Sequence, residues 1–228
     1  MMKSLLPFVV FLALTAAQAS GKEPTYRIMP VGDSITEGGK AFSTYRVPLL
    51  EKLRAAGYSV EFVGSRTRQS PLGPLQHEGY SGKNAEYLAK VVGKSFHDHP
   101  ADIVLIHAGH NHFANEKPIP GIIAATESMI TTFRTQNPHV IILLAQVIPS
   151  GKLPKYAYLP DLNRAIAELA KRLDTPTQRV ILVDQAEGFD PARDAIADHT
   201  HPNARGADKM AAKWFAALVQ VMEKPKHP

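Results

Sequence analysis

The sequence runs to 228 residues with 18 Pro, 15 Gly, no Cys and a formal net charge of +5. That length suits one globular domain with a sizeable core, and without cysteine there is no disulfide framework, so stability must come from burial. Lys and Arg are scattered rather than gathered into a run that tracks phosphates, which argues against nucleic acid as a partner; an acidic glycan fits the charge, but charge alone does not establish one.

Residues 1–19 read as a secretory signal peptide. Met1-Met2-Lys3-Ser4 is a short basic start, Leu5 to Ala17 is an apolar run with one Pro, and Ala17-Gln18-Ala19 is a cleavage signal that puts the cut before Ser20. The run is too short to span a bilayer, no other run is long enough, and no Cys after the cut offers a lipid anchor. A secreted or periplasmic protein without stable membrane insertion is therefore expected.

Tyr26 to Val31 is a short hydrophobic strand that stops at Gly32 and opens at once into the polar cluster Asp33-Ser34-Ile35-Thr36-Glu37. Leu49, Leu50, Leu53 and Ala56 then repeat at helical spacing, with Gly57 as the stop. Tyr58 to Gly64 alternates as a second strand. Residues 65–80, with Pro71, Gly73, Pro74 and Gly79, read as a long loop. A helix begins at Asn84 and carries Leu88, Val91 and Val92. Asp102 to Gly109 is a third strand, and Ile122, Thr126, Met129, Ile130 and Phe133 share one face of the next helix. Val140 to Ala145 is a continuous apolar run suited to a sheet covered on both faces. Leu159, Leu162, Ile166, Leu169 and Leu173 mark a fourth helix, Arg179 to Asp184 a fifth strand, and Asn203 caps a last helix running to Met222. Residues 223–228 form a polar tail. Strands alternating with helices predict a parallel sheet with helices on both faces, and in such sheets sites lie beyond the carboxyl ends of the strands. That edge collects Ser34, Asn111, Asp198 and His201.

A serine hydroxyl needs a neighbouring base to become a nucleophile. His201 is the candidate base for Ser34, and Asp198, three residues earlier, can reach the imidazole across one turn and fix its tautomer. Because such a base must be neutral, activity on a small acetyl ester is expected to rise with pH through the neutral region. The attacked carbonyl becomes an oxyanion and needs donors: the amide of Asn111, and the backbone N–H groups of Gly82 and Ser34. Asp33 reads as a structural hydrogen-bonding group, His107 as a strand residue and His199 as a rim residue. Tyr156 and Tyr158 either stack on a sugar or pack a loop against a helix. His107, His110, His112, His199 and His201 raise the question of zinc, but His110 and His112 stand only two apart with few carboxylates nearby, so no metal and no cofactor are expected.

In this order Gly32-Asp33-Ser34-Ile35, Gly82, Gly109-His110-Asn111 and Asp198-His199-Thr200-His201 resemble the four blocks of the SGNH/GDSL hydrolase superfamily over essentially the whole mature chain. The segments Ile28 to Gly38, Ala56 to Ser65 and His77 to Gly82 resemble its carbohydrate-esterase branch, which includes acetylxylan-esterase-like enzymes. The resemblance implies an SGNH hydrolase domain over residues 20–222, folded as a flavodoxin-like three-layer α/β/α sandwich with a five-stranded parallel sheet. It implies Ser34, Asp198 and His201 as the triad, Ser34, Gly82 and Asn111 as oxyanion donors, and a small acylated carbohydrate as substrate. The chain departs from the pattern at His112, where the family usually has an Asp that organises the loop presenting Asn111. Two alternatives remain at this point: a lipase, lysophospholipase or thioesterase of the same superfamily acting on longer acyl esters, and a non-catalytic glycan-binding module on the same fold.

Overall fold

The structure is a computed structural model and describes residues 25–223. The signal-peptide segment 1–19 and residues 224–228 of the polar tail lie outside the described residues. In chain order the strands are β1 (Tyr26–Gly32), β2 (Val60–Phe62), β3 (Arg66–Ser70), β4 (Gly73–Gly79), β5 (Ile103–His107), β6 (Ile141–Gln146) and β7 (Val180–Asp184). The helices are α1 (Ser34–Glu37), α2 (Arg46–Ala55), α3 (Ala85–Asp98), α4 (Ile119–Gln136), α5 (Leu159–Leu173), α6 (Pro191–Asp194) and α7 (Ala204–Leu218).

The five expected strands lie side by side and parallel, in the flavodoxin-like order β2-β1-β5-β6-β7. Side chains alternate across the sheet. Ile28, Ile103, Leu105 and Leu143 pack against α2 and α7, with Leu49, Leu53 and Trp214 at the centre of that layer. Met29, Val31, Val104, Ile106 and Ile142 face α3, α4 and α5 through Leu88, Phe133 and Ile166. Asn84 and Asn203 each cap a helix, accepting hydrogen bonds of 3.0 Å from the N–H of Tyr87 and of Gly206 respectively.

Residues 65–80 correct the sequence reading. They are not a loop but a β-hairpin, β3 pairing antiparallel with β4 from Arg66 opposite His77 to Ser70 opposite Gly73. β4 then lies parallel to β1 at Val31 and Gly32, along the edge that β2 occupies further back at Tyr26 to Ile28. The sheet thus has seven strands among the described residues. β3 is Arg-Thr-Arg-Gln-Ser and has no apolar residue to alternate, while β4 carries the Pro and Gly of ordinary turns, so period gave no signal. The hairpin is held instead by polar burial. Glu78 is fully buried and accepts hydrogen bonds from Ser65 N, Ser95 Oγ and, at 2.8 Å, Tyr80 Oη. Gly79 presses on α1, where a Cβ would come within 2.5 Å of Glu37 N.

Arg46 locks these pieces together. It is 1 % exposed, and its guanidinium donates to Thr36 O at 2.8 Å, Glu37 O at 2.9 Å and Leu75 O at 3.2 Å. One side chain of α2 therefore fixes both α1 and β4, the two elements that flank Ser34.

Candidate active site

β1 ends at Gly32, and the chain turns immediately into α1. Asp33 forces the turn: its Oδ1 accepts from Ile35 N at 2.9 Å, leaving Ser34 as the first residue of the helix. Ser34 is thus carried on the stub of a central strand, at the carboxyl edge of the sheet, half-buried rather than hidden.

His201 arrives from the loop between α6 and α7. Its Nε2 lies 2.8 Å from Ser34 Oγ, and its Nδ1 hydrogen-bonds Asp198 Oδ2. Asp198 Oδ1 accepts from Thr200 N at 2.9 Å and His201 N at 3.0 Å, so acid and imidazole share one tight turn. Burial pushes the Asp198 carboxyl up, but the hydrogen bonds from His201 and Thr200 outweigh it and hold the group below its ordinary value. A carboxylate can only accept, so Nδ1 carries the proton and Nε2 of the neutral ring is left to accept from Ser34. The turn is clamped from outside. His199 adopts φ +54°, its carbonyl accepts from Gly151 N at 2.8 Å, and Ser150 Oγ lies 2.7 Å from Thr200 Oγ1. On the other side Phe42 stacks on the imidazole, ring centroids 4.2 Å apart, and Ser43 N donates to Pro202 O at 3.1 Å.

Gly82 and Asn111 line the same cleft as Ser34 and His201, a space of about 310 Å³. Gly82 has φ +74°, a conformation natural to glycine, and its loop is tied down by Ser81 N donating to Glu37 Oε2 at 2.7 Å. Asn111 has φ +70°, and its Nδ2 donates to Lys83 O at 2.9 Å. An amide nitrogen has two hydrogens, so one remains for an oxyanion. His112, standing where the family usually has Asp, bridges two carboxylates: Nε2 to Glu86 Oε2 at 2.9 Å and Nδ1 to Glu116 Oε2 at 3.0 Å. These acids come from α3 and from the turn after Phe113, so carboxylates that looked sparse in sequence converge on this ring. The loop carrying Asn111 is thereby pinned at its next residue. Asn111→Ala is expected to lower kcat on p-nitrophenyl acetate by about a hundredfold, as loss of one oxyanion donor does. Steady-state rates compared at matched folding check this, and parent-like turnover would remove Asn111 from that role.

Beneath the cleft lies a buried polar row. Asp33 Oδ2 has no hydrogen-bond partner among the described residues, and His110 Nδ1 stands 3.8 Å from it. Burial lifts Asp33 to about 6 and lowers His110 to about 3 and His107 to about 4, so both imidazoles are neutral. His107 sits in β5 and its Nε2 accepts from Ile148 N at 3.2 Å, a structural bond. Tyr156 and Tyr158 are buried; Tyr158 packs the loop, its Oη donating to Gly109 O at 2.8 Å, while Tyr156 also lines the cleft. His199 is exposed at the rim. No group of three or more His, Cys, Asp or Glu among the described residues is arranged to hold a metal ion. Phe42 is the cleft residue that sequence reasoning missed; in Gly38-Gly39-Lys40-Ala41-Phe42 no periodicity or motif marks it.

The model of the GDSL-like lipase/acylhydrolase family matches residues 31–209. A multidomain esterase from Ruminococcus flavefaciens is 27% identical over 90% of this chain and 30% of its own length, so the chain spans about a third of that relative. Among solved structures, a carbohydrate esterase family 3 protein from Talaromyces cellulolyticus superposes with a TM-score of 0.76 at 26% identity, covering 86% of this chain and 97% of that one. A family 3 carbohydrate esterase from Clostridium thermocellum gives 0.74 at 27% identity, covering 87% and 97%.

Proposed function

The chain belongs to the GDSL-like lipase/acylhydrolase family, and from that premise we propose that it is an exported serine esterase that removes small O-acyl groups, acetyl foremost, from a carbohydrate. The observation that carries the proposal is the unbroken line of hydrogen bonds from Ser34 Oγ through the His201 ring to Asp198. In the reaction Ser34 Oγ attacks the acyl carbon while its proton passes to His201 Nε2. The imidazolium so formed is stabilised by the Asp198 carboxylate. The carbonyl oxygen becomes an oxyanion held by the N–H groups of Ser34 and Gly82 and the amide of Asn111. Collapse of this adduct breaks the ester bond, the sugar oxygen takes the proton back from His201, and the acyl group stays on Ser34. Water then attacks the acyl-enzyme, giving a proton to His201 Nε2; collapse of the second adduct breaks the bond to Ser34 Oγ, which takes that proton back as the carboxylic acid leaves. These residues complete both half-reactions without drawing on a metal or cofactor.

A short acyl group is supported by the carbohydrate esterases among the similar structures, and the cleft at Ser34, with Phe42 and Tyr156 in its lining, has a volume of about 310 Å³. Export is supported by the leader-like residues 1–19, and no helix among the described residues is long and apolar enough to cross a membrane. The test is chain-length selectivity followed by substrate choice. Acetyl p-nitrophenyl ester is expected to be cleaved with kcat/KM about tenfold or more above that of the octanoyl ester if the site is built for a small acyl group. Acetate release from acetylated xylan, pectin and sialic acid then names the sugar. A preference for octanoyl would replace the carbohydrate esterase with a lipase.

A further inference from the structure

A second and larger pocket, of about 550 Å³, opens beside the acyl cleft and shares Gly38, Gly39 and Phe42 with it. Phe42 is the wall between them, stacked on His201 and facing the second pocket as well. The lining of this pocket is one-sided in charge. It includes Lys40, Arg46 and Arg68, and among the described residues it includes no Asp or Glu.

The three cations differ in what they already hold. The guanidinium of Arg46 is spent on the backbone carbonyls of Thr36, Glu37 and Leu75, so it adds positive potential with no carboxylate hydrogen-bonded to it. Lys40 and Arg68 have no ion pair among the described residues, whereas Arg66, two residues along the same strand, is bound to Glu37 at 2.9 Å. Arg68 is also positioned rather than loose: a Cβ built on Gly38 would meet its Cδ at 3.6 Å, so its stem lies along the segment four residues beyond Ser34. The hairpin thus delivers a planar, five-donor fork to the threshold of the acyl site, the group best matched to a carboxylate or sulfate oxyanion. The rest of the wall is mixed: Phe42, Pro48 and Leu75 offer apolar faces, and Ser43, Thr44 and Gln69 offer hydroxyl and amide groups. Apolar C–H faces edged by hydroxyls are the surface of a sugar ring.

We propose that this pocket is a subsite for an anionic sugar residue, carrying a carboxylate or a sulfate ester, of the same glycan whose acyl group is removed at Ser34. The proposal depends on the carbohydrate-esterase function above and specifies its substrate class. Lys40 and Arg68 bind the anion, Phe42 supports the ring, and the acylated neighbour along the chain is set against Ser34.

Calorimetric titration with saccharides free of acetyl groups separates binding from turnover. Trigalacturonate and a sulfated disaccharide provide the two anion sources, with xylotriose as the neutral control. At least one anionic saccharide is expected to bind about tenfold or more tightly than xylotriose, and the one that does names the anion. A Lys40→Gln, Arg68→Gln double variant with an unchanged thermal midpoint is expected to lose that advantage. Rising salt is expected to erode it in the parent protein, which needs no variant. Equal affinity for charged and neutral sugars, or a double variant that keeps the anion, overturns the subsite. Turnover of p-nitrophenyl acetate by the parent protein reports separately on the esterase. Turnover without anion preference removes only the subsite, and anion binding without turnover removes the esterase and with it the subsite's place in a reaction, leaving only an anionic-sugar site.

Discussion

Ser34→Ala is expected to lower kcat on p-nitrophenyl acetate by about a million-fold, leaving only what the oxyanion donors and substrate binding supply. Among the described residues the hydroxyl has one hydrogen bond, to His201 Nε2 at 2.8 Å. The substitution removes the attacking atom and disturbs little else. Asp33 still caps α1, Arg46 still holds the carbonyls of Thr36 and Glu37, and the Asp198–His201 turn keeps its clamps. The variant should therefore melt near the parent temperature while losing both turnover and labelling by a fluorophosphonate, which reacts with an activated serine. Turnover within tenfold of the parent would mean that the bond to His201 plays no part in catalysis.

Asp33→Asn is expected to stabilise the protein by about 3 kcal/mol at pH 7 and by almost nothing at pH 3. Asp33 is 1 % exposed, and burial raises it from 3.8 to about 6; at about 1.4 kcal/mol per tenfold change in proton affinity, that is the penalty on its charged form. A carboxyl raised on folding holds its proton longer in the native state than in the unfolded chain. Below pH 3.8 both states are protonated and no penalty exists. It grows as pH rises from 3.8 to about 6 and is complete above that. Asn keeps the acceptor that caps Ile35 and turns a neutral NH₂ toward His110. Denaturant unfolding of parent and variant across pH 3 to 8 checks the slope; a difference that is flat with pH would mean Asp33 does not titrate in this range. The same negative charge stabilises a protonated His201, so the stabler variant should be the slower one, a common exchange at functional sites.

Much of the fold was legible because backbone hydrogen bonding and apolar period agree over most of the chain. Four of the five parallel strands are largely hydrophobic runs and β2 alternates, and the caps at Asn84 and Asn203 announce their helices. The residues of the cleft were legible for a different reason. A turn after a strand, an amide donor and an acid three residues before an imidazole each leave a local mark, and only sheet topology was needed to bring Ser34, Gly82, Asn111, Asp198 and His201 to one edge. The hairpin at 66–79 left no such mark. Its order comes from Glu78 and Arg46, long polar side chains buried among partners distant in sequence, and no period reports such partners. Phe42, Lys40 and Arg68 were hidden likewise, since each matters only through what lies across the cleft. The two carboxylates that hold His112 show the limit most plainly: one is 26 residues away and becomes a neighbour only once α3 packs beside the strand.

The hairpin has one more consequence, for life at high concentration. β3 is the outermost strand on its side of the sheet, and an open strand edge invites a second copy to add its own. Arg-Thr-Arg-Gln-Ser is a poor template for that: two guanidinium groups in five residues repel an identical strand, and no apolar face is offered to bury. The stretch that lacked every hydrophobic cue to its own structure is, for the same reason, a poor edge for a second sheet to join.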